Sequence, residues 1–273
     1  MKKRSFLRHA ASAPHLVWAI LFIVAPLLFV LYYAFTDRTG APTLENITSL
    51  GSYSHTFVMS LGFSLIATAI CFLIGYPLAY CMSRTAPRVR NVLLVLLMLP
   101  MWISLLIRTY SLMALLDNGG LVNSLLQSMG FEKVTFIGTD AAVILGMVYD
   151  FLPYMVLPIY TSMTKLDQRY LEAAADLGCN SRKTLFKVVF PLTVPGIVSG
   201  VTMVFVPSIS TFYISQKLGG GSFDLIGDTI ERQFQNAVTY HTGAAISLVM
   251  MILILISMAV MNRFSDGQEE IIV

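Results

Sequence analysis

Polar and apolar positions along this chain do not alternate. They fall into long apolar runs separated by short polar segments. Six runs reach the roughly 20 mostly apolar residues that a bilayer crossing needs: His15–Phe35, Phe57–Ser83, Asn91–Leu116, Ala141–Met163, Pro191–Ser215 and Thr242–Met261. Their length predicts helices. The period-2 pattern of a transmembrane β-barrel is missing. The first run follows Lys2, Lys3, Arg4 and Arg8, as a signal peptide would. It is too long for a signal core, however, and it ends in Tyr32-Tyr33-Ala34-Phe35-Thr36 rather than a small-residue cleavage site. We read it as a retained helix.

Composition agrees with the pattern. Of 273 residues, 56% are hydrophobic and 12% charged, against roughly 25% charged in a soluble domain. Mean hydropathy is +0.74. A soluble enzyme and a disordered chain are therefore both excluded, and an all-α integral membrane protein remains. A net charge of +3 offers no basic patch for nucleic acid. Cys71, Cys81 and Cys179 read as free thiols. His9, His15, His55 and His241 are scattered, without the spacing of a metal site.

Charge sets the orientation. The N-tail, the 84–90 loop, the 164–190 loop and the C-tail together hold 13 of the 18 Lys and Arg residues. The alternate segments hold Arg38, Lys133, Lys217 and Arg232, and Arg108 lies within a run. Basic loops stay inside, so six helices with both termini cytoplasmic are predicted. The outer segments carry eight acids instead, among them Asp224, Asp228 and Glu231. That excess either attracts cations or simply reflects acids avoiding the basic loops.

The longest inner loop has helical punctuation. Asp167 is placed to cap a helix over Gln168–Leu177, and Gly178 to end it in the left-handed conformation. Asn180 or Ser181 is placed to cap a second helix, Arg182–Val189, before Pro191 opens the next span. Ala173, Ala174 and Ala175 give the first helix a small-residue surface that another backbone can approach, so the loop reads as a docking element.

Within this loop Glu172-Ala173-Ala174, three residues, Gly178, nine residues, then Val188-Val189-Phe190-Pro191 resembles the EAA motif of ABC importer permeases. Val188 and Phe190 stand where that family has Ile and Leu. Further strings resemble the spermidine/putrescine permeases: Leu99-Pro100-Met101-Trp102 with Leu106-Ile107-Arg108-Thr109-Tyr110, Gly146-Met147-Val148-Tyr149 with Leu152-Pro153, and Leu225-Ile226-Gly227-Asp228. The resemblance implies a type I ABC importer permease fold, one permease domain over 1–273, in the inner membrane of a bacterium. It implies polyamine transport with a second, related but non-identical permease, two ATPase subunits and an extracytoplasmic polyamine-binding protein. Glu172, Ala173, Ala174, Gly178 and Pro191 would then couple this chain to the ATPase. No GxxxxGK[ST] phosphate loop occurs. This chain is expected to be no enzyme and to bind no cofactor, ATP and its Mg²⁺ being used by the partner. A permease for another small solute, an anion or a metal complex, is the alternative, and a channel or membrane scaffold the more distant one.

Asp150 lies about nine residues into the fourth run, roughly 14 Å deep at 1.5 Å per residue. A charge there is costly and needs a partner or a wet path. Three readings stand: Asp150 lines a substrate path with Tyr149, Tyr154 and Trp102, whose rings suit ammonium groups; it pairs with Arg108; or it is protonated and hydrogen-bonded. Arg108, eight residues from the outer end of its run, would be satisfied by snorkelling to the interface. The outer segment 219–241 shows helical spacing, with Asp224, Asp228 and Glu231 on one face as a gate, a contact for a delivering protein or a solvated face. Leu121–Met129 reads as a short amphipathic helix on the outer interface.

The charge count carries a direct test. An impermeant thiol reagent added to intact cells should label Cys introduced at Thr43 or Ser222, and not Cys at Ser181. Equal labelling at Ser181 and Ser222 would overturn the orientation.

Overall fold

The computed structural model describes residues 14–269. Lys2, Lys3, Arg4 and Arg8, on which the N-terminal share of the charge count rests, lie outside the described residues. Among the described residues the chain is helical, with one isolated antiparallel bridge, Thr36 to Pro42. Its helices are α1 (Pro14–Ala34), α2 (Ser54–Arg84), α3 (Pro87–Trp102), α4 (Leu105–Leu116), α5 (Leu121–Ser128), α6 (Asp140–Thr164), α7 (Gln168–Asp176), α8 (Ser181–Leu192), α9 (Val194–Ser210), α10 (Tyr213–Leu218), α11 (Ile226–Gln235) and α12 (Tyr240–Glu269). Four of them, α1, α2, α6 and α12, are long and apolar enough to cross a membrane. Two bent pairs complete the six spans that the apolar runs predict.

The third and fifth runs differ from the straight helices expected. The third is broken after Trp102: Ile103 and Ser104 are both extended, and the helix before the break lies at 97° to the one after it. Pro100, in the last turn of α3, already removes one backbone donor and weakens that end. In the fifth, Pro191 does not open the span. Helix α8 continues through it to Leu192, the chain turns by 67° at Thr193, and α9 starts at Val194. A second break at Thr211 and Phe212 then separates α9 from α10.

The chain divides into two compact units. One comprises the chain up to Ser54 with Thr229–Leu253. Its core is Ala34, Ala244, Ala245 and Leu248, packed by Val30, Tyr33, Phe234 and Met251. Edge-to-face rings, Tyr33 on Tyr240 at 5.0 Å and Phe234 on Tyr240 at 4.8 Å, fix these elements. Asn46 donates to the carbonyls of Ala34 and Thr36, closing the end of α1. In the following turn the Thr39 hydroxyl and the Ala41 amide donate to the Asp37 carboxylate and hold its pKa below the ordinary value.

The other unit, His55–Asp228 with the end of α12, holds the larger core. Helices α6 and α9 lie side by side at its centre. They approach so closely that a Cβ at Gly196 would sit 2.8 Å from the Pro158 carbonyl. Only glycine permits that contact, and the pair packs backbone to backbone. Helix α10 is wedged beside α6, with Ile214 and Leu218 against Gly146.

Candidate functional site

Two places in the larger unit carry residues that the sequence singles out. The first is the surface loop. Asp167 Oδ1 accepts from the Arg169 amide at 3.0 Å and starts α7. Leu171 and Ala174 face the core. The opposite flank, with Tyr170, Ala173 and Leu177 at helical spacing, faces outward, and Leu177 is 84% exposed. Glu172 is also exposed, on the polar flank.

Helix α7 ends in a Schellman arrangement: the Cys179 amide donates to the Ala174 carbonyl and the Gly178 amide to that of Ala175, both at 2.9 Å, with Gly178 at φ +73°. Asn180 Oδ1 accepts from the Lys183 amide at 2.9 Å and starts α8. Helix α8 runs further than the expected Arg182–Val189, with a widened turn over Leu185–Val189. Phe186 on it is 68% exposed. Pro191 thus belongs to the second loop helix. The turn into α9 is secured by Thr193, whose buried hydroxyl donates to the Val189 carbonyl at 2.9 Å and lies 3.4 Å from the Tyr76 hydroxyl. Two capped helices therefore leave three large apolar side chains, Tyr170, Leu177 and Phe186, exposed.

The second place is inside the spans. Asp150 is 1% exposed and Arg108 4%. The Arg108 guanidinium lies 3.2 Å from Asp150 Oδ1 and donates to the Asp150 carbonyl at 3.1 Å. Thr109 Oγ1 donates to Asp150 Oδ2 at 3.3 Å. Arg108 therefore does not snorkel. The break after Trp102 gives α4 its own direction, and the guanidinium is spent on α6.

Tyr149, Tyr154 and Trp102 do not gather around this carboxylate. Neighbouring positions of one helix point about 100° apart, so Tyr149 is exposed where Asp150 is buried. Tyr154 lines a cleft with Met101, Pro158, Lys165 and Met203, and Trp102 is 72% exposed. A path role for Asp150 requires its ion pair to open first.

The acidic outer face also needs correction at one position. Asp228 is buried, at 4% exposure, and its Oδ2 accepts from the Leu225 amide at 2.8 Å. Asp224 and Glu231 are half-buried, and Glu231 accepts from Gln235 at 2.9 Å. The expected amphipathic helix is present as α5. Its Asn123, which no pattern singles out, is fully buried and bonded to the backbone of Asp117 and Val134.

The chain matches the model of the family described as binding-protein-dependent transport system inner membrane component over residues 71–268. It is 40% identical to the spermidine/putrescine transport system permease protein PotB of Haemophilus influenzae, over 90% of both chains. To PotB of Escherichia coli it is 38% identical, over 91% of this chain and 94% of the other. Its fold is that of a chain from a bacterial ABC transporter involved in the import of alginate, with a TM-score of 0.79, 18% identity, and 97% of this chain and 96% of that one covered.

The buried pair makes a quantitative prediction. Asp150→Asn leaves the Arg108 charge uncompensated in a low dielectric, at a cost of about 3–5 kcal/mol. Abundance and thermal stability in lipid should fall, and adding Arg108→Gln should restore most of both. Normal abundance with a loss of transport that Arg108→Gln does not rescue would instead give Asp150 a path role.

Proposed function

The chain belongs to the family of binding-protein-dependent transport system inner membrane components, and on that premise we propose that it is one membrane-spanning subunit of an ATP-driven importer of polyamines. The observation that carries the substrate is the extent of identity with spermidine/putrescine permeases, spread over nine-tenths of both chains. The chemistry supports it. Polyamines are flexible polycations, and the outer segments carry eight acids against four bases, a balance that raises the local concentration of cations.

The capped loop supports the division of labour. A chain without a phosphate loop of its own is driven from outside, and α7 and α8 offer an exposed strip for that purpose. Two ATPase subunits, binding ATP and its Mg²⁺, dock below. A second, related permease chain completes the path, and an extracytoplasmic binding protein delivers the substrate. Closure of the ATPase pair moves the loop, and the close-packed α6 and α9 carry that movement into the spans as one body.

Two experiments test this. The chain should co-purify with a second permease and an ATPase, and the complex in lipid should hydrolyse ATP faster when polyamine and its binding protein are added. Stimulation by an anion or a metal complex, and not by polyamine, would reject the substrate. Gly178→Val tests the loop. A Cβ at φ +73° costs on the order of 1–2 kcal/mol and displaces the start of α8. Uptake should fall at least tenfold while the protein still reaches the membrane. Unchanged uptake and unchanged ATPase association would reject the loop as the coupling element.

A further inference from the structure

Lys217 has an unusual setting for a cation beside a membrane span. Among the described residues it forms no ion pair. Its ammonium lies over two tyrosine rings instead, 5.4 Å from the centre of Tyr110 and 5.7 Å from that of Tyr213, and also reaches the Tyr110 hydroxyl. The rings themselves meet edge to face at 5.8 Å. Their positions are fixed by the fold. Ile214, Ser215 and Leu218 bury the far side of α10, the first and last against Gly146 of α6. Tyr213 and Lys217, one helical turn apart, are thereby left on the side that meets Tyr110 of α4. All three are partly exposed, and the charge count places them toward the outer side.

Two aromatic faces hold an ammonium by its charge without demanding a fixed hydrogen-bond direction. The group that occupies this pair is chemically informative. A lysine side chain is a four-carbon alkyl stem ending in a primary ammonium, which is also what each end of putrescine and the aminobutyl arm of spermidine present.

We propose that Tyr110 and Tyr213 form a seat for a primary alkylammonium, and that Lys217 is its resident occupant, which an incoming polyamine end displaces. The seat itself rests on the ring and ammonium geometry; the identity of its ligand rests on the polyamine reading. Two like charges cannot share the pair, so seat and lysine behave as a site with a built-in competitor. The tethered ammonium keeps the seat closed to weakly charged or monovalent solutes and yields to a ligand whose second ammonium adds attraction elsewhere.

The test is equilibrium binding of putrescine and of n-butylamine to the full complex in lipid nanodiscs, without the binding protein. Lys217→Ala should tighten binding of both about tenfold, because the competitor is gone. Lys217→Met, which keeps most of the apolar stem, should do the same and serves if the alanine variant fails to assemble. Adding Tyr110→Leu or Tyr213→Leu should abolish the gain, while Tyr213→Phe, which keeps the ring, should keep it. Unchanged affinity without Lys217 overturns the proposal. So does a gain that persists when both rings are removed, since that is general relief of charge repulsion. Should the complex take up no polyamine in cells while n-butylamine still shows the ring-dependent gain, the substrate reading falls and the seat stands.

Discussion

A chain that breaks its helices inside hydrocarbon must find partners for the groups that the breaks release, because no water is there to serve them. That constraint organises the larger unit. After the break at Ile103 and Ser104, α4 brings Arg108 against α6, where it meets both the carboxylate and the backbone carbonyl of Asp150. At the turn into α9, the Thr193 hydroxyl covers the Val189 carbonyl. Beyond the break at Thr211 and Phe212, Gly227 passes so close that a Cβ would lie 2.5 Å from the Thr211 carbonyl. At the entry to α11, Ser60 Oγ and the Asp228 carboxylate accept from the free amides of Ile226 and Leu225. Each interruption is matched by a side chain or a close approach, some local, as Thr193 to Val189 and Asp228 to Leu225, and some from far along the sequence, as Arg108 to Asp150 and Ser60 to Ile226.

This also explains which features were legible in the sequence. The loop helices are specified by neighbours: Asp167, Gly178 and Asn180 act on amides and carbonyls within five residues, so local spacing finds them. The six spans are legible because their number depends on mean hydropathy over windows of their own length. The breaks are not. Hydropathy is blind to direction, and Leu99 to Tyr110 is as apolar across the bend as along a straight helix. Pro191 reads as a helix start for the same local reason that Asp167 reads as a cap, yet the turn comes two residues later, where Thr193 finds Tyr76, 117 positions away. Arg108 reads as snorkelling from its own helix alone, while its pairing with Asp150, one of the three readings of that carboxylate, is the one the structure holds; Asp228 reads as facing outward because its helical spacing matches that of other acids. The Arg108 pair spans 42 positions, beyond any such window, whereas Asp228 turns inward to the Leu225 amide only three residues before it.

Helix α6 joins the two places that carry the candidate residues. Its end leads into the capped loop, and its middle carries Asp150. Pro153 and Pro158 remove donors from its interior, which by itself would leave a compliant helix. Close packing against α9 at Gly196 and Gly200 offsets that compliance, since two backbones in contact resist bending more than one kinked helix does. Under the proposed coupling, a displacement at the loop would move α6 and α9 together, and the Arg108 pair would extend the moving body to α4.

The same pair bears on how the polycation proposed as substrate would cross. The six apolar runs contain one carboxylate, Asp150, and one guanidinium, Arg108, and they neutralise each other. An unpaired carboxylate at mid-depth would hold an ammonium strongly in a low dielectric, and a transporter that must release its cargo gains nothing from such a trap, because conduction needs binding weak enough to leave. Aromatic faces offer the gentler alternative. Their attraction for an ammonium is about 0.5–2 kcal/mol, enough to orient a flexible polycation and too little to detain it. With acids outnumbering bases eight to four on the outer segments and the intramembrane charge balanced, the attraction for a cation is stronger on the outer side than within the spans.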